Sequence, residues 1–248
     1  MASLIPYEPL NRLKPAADDL WIVDGPEVAM RYFGLRLPFT TRMTVVRLSD
    51  GRLWLHSPTE PAPELTAALD ALGPVAFLVS PNRLHTTWLA AWRKLYPLAV
   101  TAGIAAEAAW SGARLDFALD LAGAGPFRWA PDIEHLVAPG NTFSEADFFH
   151  HPSRTLILTD LIENFELRRV SSRWLRLLLR VTGPLDPHGT APPDMRYSFR
   201  GHLPALRDAL ARMRAWGPER IVIAHGRWYE TDARRELDRA FGWVEKGA

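Results

Sequence analysis

The chain has 248 residues and a formal net charge of +1, so its overall charge gives no reason to expect a nucleic-acid partner. It contains no cysteine, which excludes disulfides, thiolate-ligated metals and a thiol nucleophile. Hydrophobic residues make up 48% and charged residues 23%, as in an ordinary globular protein, and no apolar run reaches the length of a membrane span.

Short strands and helices alternate through the first half of the chain. Asp50 and Gly51 predict a hairpin turn between two of the strands, and the uninterrupted apolar run PVAFLVS is typical of a strand covered on both faces. In chain order we predict strands at 20–23, 43–48 and 53–57, a helix at 61–73, a strand at 74–80, a helix at 85–97, a strand at 98–102 and a short helix at 103–110.

The second half repeats this theme. In chain order we predict an antiparallel strand pair at 147–151 and 154–160, helices at 166–180 and 202–216, a strand at 219–226 and a helix at 231–244 that is capped by Thr231. Such a pattern favours mixed sheets covered by helices on their outer faces. We expect residues 1–248 to form one domain. The N-terminal MASLIPYEPLNRLKP has no apolar core of a signal peptide, so we expect a cytoplasmic protein.

Three metal-capable side chains stand at or just beyond the ends of predicted strands. His85 follows the strand at 74–80, and Asp160 and His225 end the runs TLILTD and IVIAH. Loops at the carboxyl ends of strands converge in open α/β sheets, so these side chains are candidates for one site. Taken singly, each has an ordinary alternative: a histidine bonded to backbone, or an aspartate that caps the next helix.

Two imidazoles and one carboxylate suit zinc, or iron in the arrangement of two histidines and one carboxylate. Three protein ligands also leave a coordination position open, which is typical of a catalytic site. We therefore expect one divalent metal at His85, Asp160 and His225, with zinc as the first candidate and iron or manganese as alternatives.

The segments FLVSPNRLHTTWLAAW, APGNTFSEADFFHHPSRTLILTD and IVIAHG, in this order, resemble the metallo-β-lactamase superfamily. The resemblance spans nearly the whole chain, and within the superfamily the chain resembles a group of uncharacterised bacterial proteins. It implies an α/β fold, a four-layer αββα sandwich with a metal site at one edge of the two sheets. It also implies a helical flap at about residues 166–200.

The same resemblance implies an incomplete metal site. Of the pattern His-x-His-x-Asp-His, only the last histidine is present, as His85, and Leu84 stands where the family has an aspartate. Asn141 replaces a further histidine, whereas Asp160 and His225 match. At most one metal is therefore expected.

Four further residues are candidates near the site. His56, at the end of an early strand, is a possible fourth metal ligand or an ordinary interior histidine. Asn82 is a candidate catalytic residue beside Asp160, and Asn141 a candidate substrate contact; the alternative for both is that they close turns. Arg42 is a candidate contact for an anionic substrate, or one half of an ion pair.

The segment RRVSSRWLRLLLR, residues 168–180, predicts a basic amphipathic helix. Arginines recur at helical spacing, and tryptophan and leucine fill much of the rest. Two interpretations remain open. The helix packs on its own domain with a solvated arginine face, which is the commoner arrangement, or it lies on a membrane or grips an anionic partner.

Three functional hypotheses follow. The first is a metal-dependent hydrolase of a small, anionic substrate. The second is a binding module that keeps the fold and has lost catalysis, and the third is an iron-dependent redox protein with the same three ligands. The sequence predicts no stable membrane insertion and leaves the oligomeric state open.

Overall fold

Two β-sheets form the centre of the structure, a computed structural model that describes residues 4–32, 35–107 and 116–245. The strands are β1 (Lys14–Ala17), β2 (Leu20–Tyr32), β3 (Leu35–Arg47), β4 (Leu53–His56), β5 (Val75–Val79), β6 (Val100–Gly103), β7 (Leu119–Asp120), β8 (Ile133–Ala138), β9 (Glu145–His150), β10 (Thr155–Ile157) and β11 (Arg220–Val222). The first sheet has the order β1-β2-β3-β4-β5-β6-β7 and the second β11-β10-β9-β8. Both sheets mix parallel and antiparallel pairs, as predicted.

Helices cover the outer face of each sheet. They are α1 (Pro63–Leu72), α2 (Leu89–Leu95), α3 (Arg173–Thr182), α4 (Pro193–Phe199), α5 (Leu203–Trp216), α6 (Ala233–Ala240) and α7 (Gly242–Glu245). Within the described parts of the chain, no helix is long and apolar enough to cross a membrane.

Alternating side chains build three apolar layers. In β4, Leu53 and Leu55 pack with α1 and α2, whereas Trp54 points to the second sheet. In β9, Phe148 points to the first sheet and Phe149 to the helices beyond the second. Because successive strand side chains face opposite ways, each strand contributes to two layers. The result is the αββα order of layers that the resemblance implied.

A long hairpin was missed in the sequence. The pattern predicted strands at 20–23 and 43–48, but β2 and β3 each have 13 residues and pair antiparallel along most of their length. Polar residues interrupt the apolar alternation, among them Asp24 and Arg42, which lie opposite each other in the register. A charged pair at buried positions hides a strand from a hydrophobicity pattern.

Several predicted boundaries were correct. The Asp50-Gly51 turn joins β3 to β4, and the helices at 61–73 and 202–216 match α1 and α5. The pair at 147–151 and 154–160 is antiparallel as predicted, although β10 ends at Ile157. Likewise the strand predicted at 219–226 ends at Val222, so Asp160 and His225 lie in the loops beyond the strands. The helix predicted at 103–110 falls partly outside the described residues.

Three helix predictions were wrong in detail. The helix predicted from residue 85 begins at Leu89, because residues 85–88 form turns next to the site. The helix predicted at 231–244 is two helices, and its N-cap is Asp232 at φ 57° rather than Thr231. The helix predicted from residue 166 begins at Arg173 after a 3-10 turn, and Ser172 caps it.

The N-terminal segment fastens the region between β10 and α3. Tyr7 donates a hydrogen bond from its hydroxyl to Glu166 at 2.7 Å, and the Arg169 guanidinium lies 4.0 Å from the Tyr7 ring centre. Ile5 also donates its amide to the Arg169 carbonyl at 2.7 Å. These contacts hold the segment that leads from the candidate site into α3.

Candidate metal site and apolar cavity

Three side chains from three loops meet at one edge of the sheets. His85, Asp160 and His225 each offer one ligand atom, and these atoms all lie within 4.8 Å of one another. The loops follow β5, β10 and β11, so the convergence expected at the carboxyl ends of strands is observed. It is the only such group of potential metal ligands among the residues that the structure describes.

His225 is oriented by the hairpin. Its Nδ1 lies 2.6 Å from the Thr40 carbonyl oxygen, which can only accept, so Nδ1 carries the proton. The other nitrogen, Nε2, faces Oδ1 of Asp160 at 3.1 Å. In a neutral imidazole that nitrogen is also an acceptor, so a proton or a cation must lie between the two atoms.

His85 is held in a similar way. Its Nδ1 lies 2.6 Å from the Ser57 hydroxyl, and its Nε2 is 3.3 Å from Oδ1 and 3.2 Å from Oδ2 of Asp160. The imidazole rings of His85 and His225 have their centres 5.3 Å apart. A hydrogen bond at the nitrogen away from the ion is the usual support of a metal-binding histidine.

Charge within the cluster favours an ionised carboxylate. Burial favours the neutral acid, but the charge of His85 and hydrogen bonds from His225 and His85 hold the pKa of Asp160 well below its usual value. Burial by itself would lower the pKa of His85, yet the charge and hydrogen bond of Asp160, with Glu145 behind it, raise that pKa overall. The cluster is therefore built to hold positive charge next to Asp160.

The residues present fit a divalent metal. Two imidazole nitrogens and one carboxylate oxygen are a donor set for zinc or iron. Nε2 of His225 and Oδ1 of Asp160 are both acceptors and face each other. A cation between them would bind both atoms. His85, Asp160 and His225 are the residues that would hold it.

Asn82 connects two of the three loops. Its side-chain nitrogen donates to Oδ2 of Asp160 at 2.7 Å, and its side-chain oxygen accepts from the amides of Leu84 and His85 at 2.9 and 3.2 Å. The predicted turn role is thus real, and the same side chain also orients Asp160. Asn82 is buried and acts through its neighbours, as a positioning residue.

Glu145 was missed in the sequence, where it looks like an ordinary acid between two strands. It is fully buried, and its carboxylate accepts the amides of Thr159 and Asp160 at 2.7 and 2.9 Å. Burial and the charge of Asp160 raise the pKa of Glu145. The side chain fixes the backbone of the loop that presents Asp160.

Arg42 supports the loop of His225. The three nitrogens of its guanidinium are bonded inside the protein, two to Asp24 and one to the carbonyls of Ile223 and Gly226, both at 2.8 Å. The side chain is buried. The expected contact of Arg42 with an anionic substrate stays a prediction.

His56 and Asn141 are not members of the three-residue group. His56 is stacked on Trp54, with ring centres 5.4 Å apart, and burial lowers its pKa to about 3. Its Nε2 has no hydrogen-bond partner among the described residues. Asn141 is exposed and bonded to the His202 ring at 2.8 Å, and it is not among the described residues that line the adjacent cavity.

An apolar cavity of about 370 Å³ opens next to the cluster. Its floor includes His85, Asp160 and His225, and most of its wall is aliphatic or aromatic. Leu84, which stands where the resemblance predicts an aspartate, is part of this wall. The other lining residues are Leu4, Met30, Leu37, Pro38, Phe39, Glu163, Phe165, Leu175, Leu178, Leu179, Thr182, Pro184, Pro192, Pro193, Asp194 and Met195.

Glu163 is a buried acid in this wall that the sequence did not single out. Burial, together with the charges of Asp160, Asp194 and Glu145, raises its pKa well above the usual value. Its environment therefore favours the protonated form of the carboxyl, which lies in the cavity wall. Its backbone is fixed by two hydrogen bonds to Thr190, at 3.1 and 3.0 Å.

The comparisons agree with this architecture. The model of a domain of unknown function, DUF4336, matches residues 18–172. The chain belongs to this family. No curated protein matches the DUF4336 chain. Solved structures show that it has the metallo-β-lactamase fold, as the sequence resemblance implied.

Two of these structures are metallo-β-lactamases. The FIM-1 enzyme from Pseudomonas aeruginosa, in its mono-zinc form, is 13% identical with a TM-score of 0.62, over 99% of this chain and 97% of that one. The enzyme from Hirschia baltica is 11% identical with a TM-score of 0.63, over 94% and 96%. At these identities the likeness establishes the fold alone.

A third is the metal-soaked flavodiiron core of Flv1 from Synechocystis sp. PCC6803. It is 13% identical with a TM-score of 0.62, over 98% of this chain and 62% of that one. Proteins of this fold thus bind metal ions, and the DUF4336 chain has a cluster of three potential ligands.

Proposed function

We propose that the chain is a hydrolase with one divalent metal ion, held by His85, Asp160 and His225, that acts on a small molecule with a substantial apolar part. The observation that carries the proposal is the position of the three potential ligands at the floor of an apolar cavity. When bound, such an ion acidifies water and polarises a carbonyl or phosphoryl oxygen. Zinc is the first candidate, with iron and manganese as alternatives.

The cavity supports a change from the substrate class expected from the sequence. A volume of about 370 Å³ lies within the range of pockets for small organic ligands. Arg42, the expected anion contact, is buried and bonded inside the protein. An acyl chain or a hydrophobic ring would gain roughly 25 cal/mol for each Å² of apolar surface that it buries there. We therefore favour esters, thioesters or amides of apolar acids over anionic substrates.

Glu163 suits the role of proton donor. It lines the same cavity as His85 and Asp160, and its raised pKa favours the protonated carboxyl that a proton donor needs. A positioned acid of this kind protonates a leaving oxygen, nitrogen or sulfur as the scissile bond breaks, and the carboxylate then takes up a proton from water. Asn82 and Glu145 keep the Asp160 loop in place throughout.

The test is a series of p-nitrophenyl esters and matching thioesters with acyl chains of increasing length, assayed with zinc, iron(II) or manganese(II) added to the chelated protein. We expect hydrolysis that depends on metal and that increases with chain length until the cavity is filled. Asp160→Asn should abolish the activity, and Glu163→Gln should lower kcat more than KM. Hydrolysis that is equal in the Asp160→Asn protein, or absent with every metal and ester, would reject the proposal.

A ligand-binding module without catalysis is the second candidate. The raised pKa of His85 favours it, because a protonated imidazole next to Asp160 would satisfy the cluster without an ion. This candidate predicts binding of apolar ligands that is unaffected by chelators. An iron-dependent redox protein would instead show the visible or nitric-oxide spectra of bound iron in protein prepared without oxygen.

A further inference from the structure

One face of α3 exposes large apolar side chains to solvent. Trp174, Leu177 and Val181 are 52%, 60% and 78% exposed. They lie at positions i, i+3 and i+7 of the helix, so they form one continuous stripe. The sequence pattern grouped Trp174 with the leucines of this helix, and the structure turns its side chain outward. Large apolar side chains grouped on one exposed face mark an interaction surface.

Basic residues flank this stripe. Arg173 and Arg180 are exposed and seven residues apart, so they lie two turns apart along one side of the stripe, and the helix RWLRLLLRVT contains no acidic residue. The nearest acids along the chain, Asp186 and Glu166, are each already paired with an arginine outside α3. The outer face of α3 is therefore apolar at its centre and positive at its margin.

The opposite face of α3 forms part of the cavity wall. Leu175 and Leu179 are buried, and together with Leu178 and Thr182 they line the cavity above His85 and Asp160. The helix is fixed at both ends, by the Ser172 cap and by Gly183 in a left-handed conformation. One helix thus separates the apolar cavity from the exposed apolar stripe.

We propose that the outer face of α3 docks on the surface of a membrane that contains anionic lipids. A helix with tryptophan and aliphatic residues on one side and arginines beside them lies in the headgroup region, with its apolar side buried and its cations at the phosphates. Stable protein partners usually need about 800 Å² on each side, which a stripe of three side chains does not provide. Docking would place the cavity wall against the bilayer, where apolar molecules are concentrated. The docking does not depend on the proposed hydrolysis.

The experiment is flotation of the full chain with two kinds of vesicle, phosphatidylcholine alone and phosphatidylcholine mixed with phosphatidylglycerol. We expect binding to the mixed vesicles that decreases with added sodium chloride, and little binding to phosphatidylcholine alone. An arginine near an anionic surface contributes about 1 kcal/mol, so Arg173→Gln with Arg180→Gln should weaken partitioning by roughly fivefold per residue. The double variant Trp174→Ser with Leu177→Ser removes apolar contacts with the lipids. It should therefore abolish the binding that remains at high sodium chloride concentration.

The matched control lies on α2 and the turn after it. Arg93 is exposed there and Leu98 is 95% exposed, so Arg93→Gln with Leu98→Ser removes the same kinds of groups from another surface. Binding by this control should equal that of the unaltered protein. The proposal is overturned if mixed vesicles do not bind the protein, if the α3 variants bind as well as the control, or if the α3 stripe instead holds a dimer that Trp174→Ser dissociates.

Discussion

His225 presents an acceptor nitrogen to an acceptor oxygen of Asp160, 3.1 Å away. The Thr40 carbonyl accepts a hydrogen bond from the protonated Nδ1 of this imidazole, so Nε2 and the Asp160 carboxylate are both acceptors while the ring is neutral. This contact is the physical reason for placing a cation in the cluster. The hydrogen bond to Thr40 also connects His225 to the β2–β3 hairpin, since Thr40 belongs to β3.

Asn82 should affect metal affinity without being a ligand. Asn82→Ala removes the hydrogen bond to Asp160 and frees the amides of Leu84 and His85, so we expect zinc affinity to fall about 10–100-fold. Competitive titration against a chelating dye measures this. Asn141→Ala is the control, because Asn141 is exposed and bonded to His202. Equal affinity of the two variants would contradict the positioning role.

Arg42 should be important for stability. Arg42→Leu leaves Asp24 buried with only Lys14 as its partner and removes the bonds to the His225 loop, so we expect the free energy of unfolding to fall by about 3 kcal/mol or more. Arg47→Leu on the same hairpin breaks an exposed pair with Asp19 and should cost about 0–1 kcal/mol. Urea denaturation of both proteins compares them. Similar losses would mean that Arg42 does not carry the buried network.

Glu163 should make folding less favourable as the pH rises. The unfolded chain releases this proton near the usual glutamate pKa, whereas the folded protein, whose pKa is raised, retains it. Stability is therefore lost between the unfolded and the folded pKa, by about 1.4 kcal/mol for each unit of difference. Glu163→Gln removes this loss, so we expect the variant to be stabilised relative to the unaltered protein, and more so at pH 8 than at pH 5.

Thermal unfolding at the two pH values measures the effect of Glu163→Gln. The control is Glu60→Gln, which changes an exposed carboxyl. Its stability relative to the unaltered protein should be the same at both pH values. If Glu163→Gln shows the same stability difference at both pH values, its carboxyl is ionised in the folded protein and does not suit a proton donor.

The positions of the three potential metal ligands could be predicted from the sequence, but the residues that orient these ligands could not. His85, Asp160 and His225 each follow a recognisable apolar strand, and the carboxyl ends of such strands converge for general reasons. The roles of Arg42 and Thr40 depend on the register of the β2–β3 hairpin, which apolar periodicity did not reveal. Pairing between distant segments is set by the whole fold.

Glu145 is the first residue of β9, which begins two residues before the strand predicted at 147–151, so the apolar pattern left it outside the strand. The cavity offered no signal in the sequence. Its wall is assembled from short segments spread from Leu4 to Met195, and each of them looks like ordinary core in isolation. The same holds for Trp174, whose outward direction depends on the start of α3 at Arg173.

The cavity should bind apolar molecules independently of metal. Leu178→Trp adds a large ring to the wall and should weaken binding of 1-anilinonaphthalene-8-sulfonate about tenfold, or 1.4 kcal/mol, with little change in zinc affinity. Dye fluorescence titration measures this. Leu95→Trp, at an exposed position on α2, is the control. Dye binding that is the same in both variants would place the dye outside the cavity.

Equilibrium dialysis against zinc, followed by elemental analysis, tests the central claim most directly. The unaltered chain and a His151→Ala control, altered at an exposed histidine beside Glu134, should each retain one zinc ion per chain. His225→Ala and Asp160→Asn should retain none under the same conditions, while their circular dichroism shows them to be folded. No zinc in the unaltered chain, or equal zinc in His225→Ala, would contradict the account.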